Sequence, residues 1–468
     1  MAADRGVAVV WARSADPDSS PPYGLWRLAW PELPGQRPGA PGAAPGLDLW
    51  SLVFGGSAGR ALGSGSELDR GQRFALFSEV RKRLARAAEP DGLLLVLDDV
   101  QWADEPSLLL LVHLVRQLRG LRLLIVATCR ESASPGDRSG EKIRALAADA
   151  NTERVKLTGL SAEAIMELLA SAGQAASREQ ADAVRTETGG NPFLVRELVR
   201  MRAEHPDAAP GSVPATVLDA TADRIARLGP NSRDVLRAAA VVGNRFSIGV
   251  VAPLLGRAVL SLLDPVDECQ AAGFLVAGDR PGDYRFSHAL VRAAVVARLS
   301  AADQLRWHNA AADAIEHLYS GQLRSHLAEL AYHRVAGSLP GDRVRAARAC
   351  EAAGDVAAED LAFEEAERLY RQALSVGQGE ISDADRGRLE LAVASALYRS
   401  GDLQGWHDSV VGVARRAECR GDRLQLGKAA TALGALDAAI GDLETAAGIC
   451  DAIGAPGFAV EPRVELRW

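Results

Sequence analysis

The sequence predicts an α/β part followed by an all-α part. Two continuous apolar runs, Leu93–Leu97 and Leu121–Ala127, flank a helical segment at Pro106–Leu118, which is typical of a parallel sheet covered on both faces. From Ser161 onward the apolar residues recur at helical spacing instead. Beyond Ala301 helix pairs recur about every forty residues, which indicates a repeat array.

Composition limits the class of protein. A chain of 468 residues is too long for one hydrophobic core, and this length suggests about three domains. The net charge of −8 and the lack of a basic run argue against a nucleic-acid-binding surface, which needs clustered lysine and arginine. The five cysteines show no CxxC spacing and the eight histidines no HxxxH or HExxH spacing, so no metal-ligating cluster is predicted. With no signal peptide and no apolar run of about 20 residues, we expect a cytoplasmic protein without a membrane contact.

The first 160 residues carry the elements of the α/β domain. Gly6–Trp11 is a short apolar strand, and the stretch Pro31–Gly65, rich in proline and glycine, is a long loop. Arg70–Ala88 has the apolar spacing of a helix, and Arg154–Leu157 is a further candidate strand. We therefore predict an α/β domain over residues 1–160.

Two smaller domains follow. Residues 161–208 are predicted to be helical. Over residues 212–300, helices precede two short strands around the turn Gly278–Gly282, which is the order of a winged-helix module. The predicted elements are helices at Ala162–Ala172, Arg178–Thr188, Pro192–Glu204, Val213–Leu228 and Asn231–Val242, and strands at Phe274–Ala277 and Asp283–Ser287.

Residues 301–468 are predicted to be tetratricopeptide-like helical repeats, with an irregular helical bundle as the alternative. Such an array offers a surface to a protein partner or a small-molecule effector, and it needs a polar cap at its end. The sequence shows no such cap, so we expect the array to be truncated. The predicted pairs are Val344–Glu359 with Phe363–Ser375, Asp385–Ser400 with Leu403–Arg420, and a third pair from Leu424.

The most informative segment is Leu93–Asp104, in which five apolar residues precede Asp98 and Asp99. Carboxylates at the carboxyl end of a buried parallel strand lie where open α/β sheets bind ligands. Asp98 is a candidate Mg²⁺ ligand beside a nucleoside triphosphate, and Asp99 can orient or deprotonate the attacking water. The alternative is a pair of solvated loop carboxylates.

This segment and the next strand resemble part of a known family, the large ATP-binding LuxR regulators among the signal-transduction ATPases with numerous domains. Leu93–Asp104 resembles the family's Walker B motif. Leu123–Glu131 resembles its sensor-1 strand, and this similarity implies that Thr128 and Arg130 face the phosphates.

Two later motifs resemble the same family. Thr186–Val195 resembles the Gly-Asn-Pro motif of the helical lid, which implies that Asn191 and Pro192 belong to the nucleotide site, with the proline beside the adenine. Tyr284–Arg292 resembles the winged-helix segment whose histidine, here His288, senses a phosphate. The resemblance implies a P-loop NTPase-type sheet, a lid, a winged-helix domain and helical repeats, with ATP or ADP and Mg²⁺ as cofactors.

One element that the family requires is missing, the phosphate-binding loop GxxxxGK[ST]. In that loop backbone N–H groups and a lysine hold the phosphates, and none of the four lysines here lies in such a motif. By the family's order of elements, Val7–Trp11 resembles the second strand, so the P-loop-type sheet is incomplete. We therefore expect an amino-truncated regulator with weak or no ATP hydrolysis, which an in-frame GxxxxGK[ST] upstream of Met1 would support.

Three functions stay open on the sequence. The first is a nucleotide-dependent switch of a LuxR-family transcriptional regulator, which would contact DNA only through a segment not present here, because no helix-turn-helix follows the repeats. The second is a non-catalytic helical-repeat scaffold that binds another protein. The third is a regulatory module associated with a nucleotide cyclase.

Overall fold

The structure is a computed structural model that describes residues 6–14, 20–34, 66–118, 120–130, 138–171, 177–196, 217–278 and 280–440. The chain forms two compact units. The first unit contains the residues up to Thr152 together with those from Ile315 onward, and the second contains Glu153–Ala314. Most of the predicted loop Pro31–Gly65 lies outside the described residues.

The first unit contains the predicted parallel sheet. Its strands are β1 (Ala8–Arg13), β2 (Leu93–Asp98) and β3 (Leu123–Ala127), in the order β1-β2-β3. Both neighbouring pairs are parallel. Because the strands are parallel, their carboxyl ends meet at one edge of the sheet, where Asp98 ends the central strand.

Helices cover one face of this sheet. The helices of the α/β part are α1 (Gly24–Ala29), α2 (Ser66–Ala87), α3 (Glu105–Gln117) and α4 (Arg138–Ala147). The two long helices confirm the predictions for residues 70–88 and 106–118. Helix α3 begins where the Asp104 side chain accepts the N–H of Ser107, and Pro106 lies in its first turn, where a missing N–H costs nothing. The side chains of Val10, Leu95 and Leu97 are buried on the covered face.

The opposite face of the sheet is exposed on the two outer strands. Val9, Trp11, Leu124 and Val126 lie on this face with 41–61% of their surface accessible. The prediction of a sheet covered on both faces is therefore wrong for the residues that the structure describes. Connections between parallel strands are right-handed. Because the strands follow one another in sequence order, both connections lie on the same face of the sheet.

The predicted strand at Arg154–Leu157 is also wrong. These residues form no strand, and Val155 and Leu157 are 73% and 87% exposed. Alternating apolar and polar residues stabilise a strand only where a neighbouring strand pairs with its backbone. No such strand lies beside this segment within the described part of the chain.

The second unit begins with two helices, α5 (Ala162–Ser171) and α6 (Arg178–Thr188), followed by helical residues 192–196. Ile165, Leu169, Val184 and Val195 form their common core. The helical prediction for residues 161–208 is thus confirmed where the structure describes it, and the rest of Pro192–Glu204 lies outside the described residues.

Five α-helices and three short strands follow between the described residues 217 and 296 of this unit. The helices are α7 (Val217–Ala226), α8 (Pro230–Val242), α9 (Ile248–Leu254), α10 (Leu263–Ala271) and α11 (Ala289–Val296). An antiparallel sheet of order β4-β6-β5 contains β4 (Arg245–Ser247), β5 (Leu275–Ala277) and β6 (Asp283–Phe286). The predicted hairpin is β5–β6, and β4 was not predicted.

No single described helix is long and apolar enough to cross a bilayer. One bent pair, Ile248–Leu254 with Val259–Ala271, passes that test of length and composition only when its two helices are taken together.

The second helix of the third predicted pair lies outside the described residues, and the other predicted repeat helices are confirmed. They are preceded by α12 (Ala301–Leu318) and α13 (Leu327–Ala336), and they are α14 (Arg343–Glu359), α15 (Phe363–Val376), α16 (Asp383–Ser400), α17 (Leu403–Arg420) and α18 (Arg423–Ile440). Small residues allow close contact, since a Cβ at Gly354 of α14 would lie 2.6 Å from the ring of Tyr370 on α15.

The turn between α14 and α15 packs against the α/β part of the first unit. Arg27 of α1 donates to Asp360 over 2.8 Å, and the Tyr23 hydroxyl donates to the carbonyl of Leu361 over 3.4 Å. Arg73 of α2 donates to both oxygens of Glu364 over 2.9 and 3.0 Å. The repeat array and the sheet are therefore joined through polar contacts around one turn.

Candidate functional site

The candidate site lies at the carboxyl ends of the parallel strands. Asp98 ends β2 and is buried, with 9% of its surface accessible. One carboxylate oxygen accepts a hydrogen bond from the Thr128 hydroxyl over 2.6 Å, and the other accepts from Arg13 Nε over 2.7 Å and from Arg13 Nη2. Three neighbouring strands thus each bring one polar side chain to the same point.

These contacts determine the charge of Asp98. Burial opposes ionisation, but the hydrogen bonds from Thr128 and Arg13 and the positive charge of Arg13 outweigh it and hold the pKa of Asp98 below its ordinary value. The carboxylate is therefore ionised at neutral pH. An ionised carboxylate at a strand end is the form that can bind a divalent cation.

Asp99 follows in a left-handed backbone conformation with φ of 59°. Its N–H donates to the Thr128 hydroxyl over 2.8 Å, so this hydroxyl bridges the two aspartates. The Asp99 side chain is about one-third exposed, with one oxygen 3.9 Å from Arg13 Nε. Non-glycine residues in this conformation are uncommon and concentrate at functional sites.

Arg130 lies beside the same loop. Its N–H donates to Gln101 Oε1 over 3.2 Å, and Gln101 Nε2 donates to Asp99 over 2.9 Å. The Arg130 side chain is exposed. The structure therefore brings together four of the predicted residues, namely Asp98, Asp99, Thr128 and Arg130.

Sequence reasoning missed Arg13 and Gln101. Arg13 could have been found, because it is the last residue of the first strand, and the carboxyl ends of parallel strands meet. Gln101 gives no comparable signal, since its role depends on the short 3₁₀ turn Val100–Trp102 that directs it back toward Asp99.

The remaining predicted residues lie in the second unit. Asn191 accepts the N–H of Phe193 over 3.0 Å, and Pro192 is the first of the helical residues 192–196. His288 stacks on Phe193 with ring centroids 4.1 Å apart. The structure thus places the Gly-Asn-Pro segment and His288 side by side, and Asn191 and Pro192 are both exposed.

The two glycines before Asn191 have a backbone role. Gly189 and Gly190 have φ of 60° and 71°, and the carbonyl of Gly190 accepts the N–H of Leu160 over 2.8 Å. A Cβ at Gly159 would lie 2.1 Å from the Gly189 carbonyl oxygen. The segment therefore crosses Gly159 at a distance that only glycine allows.

The described residues fit part of a Mg²⁺–nucleotide site. Within them no cluster of three or more His, Cys, Asp or Glu side chains could hold a metal ion. Mg²⁺ beside a nucleotide needs only one or two protein carboxylates, with phosphates and water as its other ligands, and Asp98 and Asp99 fit that role. The phosphate half does not fit, because the sequence has no phosphate-binding loop.

One comparison with known proteins matches the α/β part. Residues 2–126 match the family model of the AAA ATPase domain. No curated protein matches the sequence. Among solved structures, a signal-transduction ATPase with numerous domains that has a tetratricopeptide repeat sensor, from Pyrococcus horikoshii, is 14% identical, with a TM-score of 0.38, over 99% of this chain and 78% of that chain. A TM-score of this size does not establish a shared fold.

Proposed function

We propose that this chain is a nucleotide-dependent regulatory module of a LuxR-type transcription regulator. The observation that carries the proposal is the joining of Asp98, Asp99 and Thr128 at the carboxyl ends of β2 and β3. The two aspartates lie within residues 2–126, which match the AAA ATPase domain. In open α/β sheets this edge is where nucleotides bind. The antiparallel sheet β4–β6 with helices α8–α10 supports a winged-helix module in the second unit.

Each residue has a proposed role. Asp98 would hold Mg²⁺ through a carboxylate oxygen, the ion would offset charge on the phosphates, and Asp99 would polarise a water molecule. Thr128 and Arg130 face the phosphates. Asn191 and Pro192 of the lid border the nucleotide, and His288 reports its phosphate state.

Hydrolysis by this chain is expected to be weak or absent. The lysine and backbone amides of a phosphate-binding loop supply much of the charge stabilisation in phosphoryl transfer, and the sequence contains no such loop. Steady ATP turnover at an ordinary ATPase rate by the purified chain would contradict this expectation.

Binding tests the proposal. We expect a fluorescent ATP analogue to bind the full chain in a Mg²⁺-dependent manner, with affinity reduced about tenfold or more in Asp98→Ala, which removes a charged ligand. Asp408→Ala is the matched control, because Asp408 is an exposed aspartate of the repeat array. Binding that is independent of Mg²⁺ and equal in both variants would contradict the assignment.

A second candidate is a non-catalytic scaffold that binds a protein through its repeats. The Arg13–Asp98 ion pair favours it, because the strand-end carboxylate already has a cation from its own chain. The absence of any analogue binding at millimolar ligand would support this candidate instead.

A further inference from the structure

The first unit contains a cavity that the proposed nucleotide site does not use. Its volume is about 480 Å³, which is in the range of small-molecule sites. One wall is the segment Pro21–Arg27 of the α/β part, and the other consists of the loop before α13 and the facing sides of α14 and α15. A molecule bound there would contact the α/β part and the repeat array together.

The carboxylates that line the cavity are already paired. Asp360 accepts one hydrogen bond from Arg27 over 2.8 Å and one from Arg324 over 2.9 Å. Both oxygens of Glu365 accept from Arg368, over 2.7 and 2.9 Å. Each lining carboxylate therefore already has an arginine partner.

Arg324 has hydrogen-bond donors beyond those used in its ion pairs. Its guanidinium has five N–H groups, and its carboxylate partners are Asp360 and Glu359. About 39% of the side chain is exposed. A guanidinium with unused donors at the edge of a cavity matches an anionic acceptor such as a carboxylate or a phosphate.

The inner part of the cavity is apolar. Ala353, Val356 and Leu369 line it, and Leu369 has only 2% of its surface exposed. A ligand that places carbon atoms against these side chains gains hydrophobic burial in addition to its polar contact. The lining thus combines an apolar inner surface with a basic group at its edge.

We propose that this cavity binds a small organic anion, with its carboxylate or phosphate on Arg324 and its apolar part against Val356 and Leu369. The site is independent of the proposed nucleotide function, because none of Asp98, Asp99, Thr128 and Arg130 lines it. Binding there stabilises the contact between the α/β part and the repeats, since both parts form its walls.

Phenyl phosphate is a suitable probe, because it joins an anionic group to an apolar ring. Isothermal titration of the full chain, without nucleotide or Mg²⁺, should show binding in the millimolar range or tighter. Arg324→Gln should weaken it about tenfold or more, as expected for the loss of charge-assisted hydrogen bonds. Phenol, which lacks the anionic group, should bind at least about tenfold more weakly than phenyl phosphate for the same reason.

Three further variants locate the probe. Ala328→Trp should abolish binding by filling the cavity from its edge, where Ala328 is half-buried. Arg345→Gln changes an exposed arginine on α14 that does not line the cavity, and it should leave binding unchanged. Asp98→Ala should also leave it unchanged, which separates this site from the nucleotide site. No binding by the unmodified chain, or equal affinity in Arg324→Gln, would overturn the proposal.

Discussion

Replacing Asp104 with alanine is expected to destabilise the first unit by about 3–5 kcal/mol. The buried Asp104 carboxylate accepts the N–H groups of Tyr23 and Gly24 over 2.8 and 2.9 Å, and the N–H and hydroxyl of Ser107 over 2.9 and 2.7 Å. Alanine leaves all of these donors without their acceptor. An unsatisfied buried donor costs about 1–3 kcal/mol and a lost N-cap about 1 kcal/mol, and the sum is reduced because the segment can relax.

Hydrogen exchange is an appropriate assay, because it reports the stability of individual segments in a chain of two units. Amides of residues 23–27 and 105–110 should exchange faster in Asp104→Ala. The matched control is Asp402→Ala, since Asp402 caps α17 with a single exposed hydrogen bond to Gly405 of 2.9 Å, and its loss should cost about 1 kcal/mol locally. Equal effects in the two variants would refute the reasoning from buried donors.

Three further predictions follow from single contacts. Arg13→Ala should raise the pKa of Asp98 toward its ordinary value, because it removes two hydrogen-bond donors and a positive charge. Carboxyl NMR titration measures this pKa, and an unchanged value would contradict the role given to Arg13. Burial raises the pKa of Asp360 to about 6, so its stabilising contribution is complete below its ordinary pKa and is lost as pH rises through about 6. Relative to Asp360→Asn, the unmodified chain should therefore lose about 1 kcal/mol of unfolding free energy between about pH 5 and pH 7, as measured by urea unfolding. Parallel pH profiles of stability in the two proteins would contradict this prediction. Gly159→Ala should lower the unfolding free energy of the second unit by about 1–3 kcal/mol, because its Cβ would lie 2.1 Å from the Gly189 carbonyl oxygen. The control Gly256→Ala places its Cβ where no atom lies within 4 Å, and it should cost about 1 kcal/mol because of its positive φ. Thermal melts in which Gly256→Ala is the more damaging change would contradict this.

The sequence predicted elements whose stability depends on local pattern. The runs at Leu93–Leu97 and Leu121–Ala127 and the helices of the repeat array are all confirmed, because apolar periodicity reports which face of an element is buried. Arg154–Leu157 was wrong because a strand also requires a neighbour, and the pattern of one segment does not show whether a neighbour exists.

The candidate site was only partly predicted, because some of its contacts join residues that lie far apart in the sequence. Asp98 and Asp99 follow directly from a strand that ends in carboxylates. Arg13 is 85 residues away from Asp98 in the chain, and the contact of Tyr23 with Leu361 joins residues 338 apart. Contacts of this kind depend on the packing of whole elements, which no local motif encodes.

The most direct test of the nucleotide assignment is a hydrogen-exchange comparison of the full chain with and without ATP and Mg²⁺. The account predicts slower exchange at residues 98–102 and 128–130, where backbone and side chains surround the strand-end carboxylates, and loss of that protection in Asp98→Ala. Unchanged exchange at both segments under millimolar ATP, or protection that persists fully in Asp98→Ala, would contradict a nucleotide site at the carboxyl ends of β2 and β3.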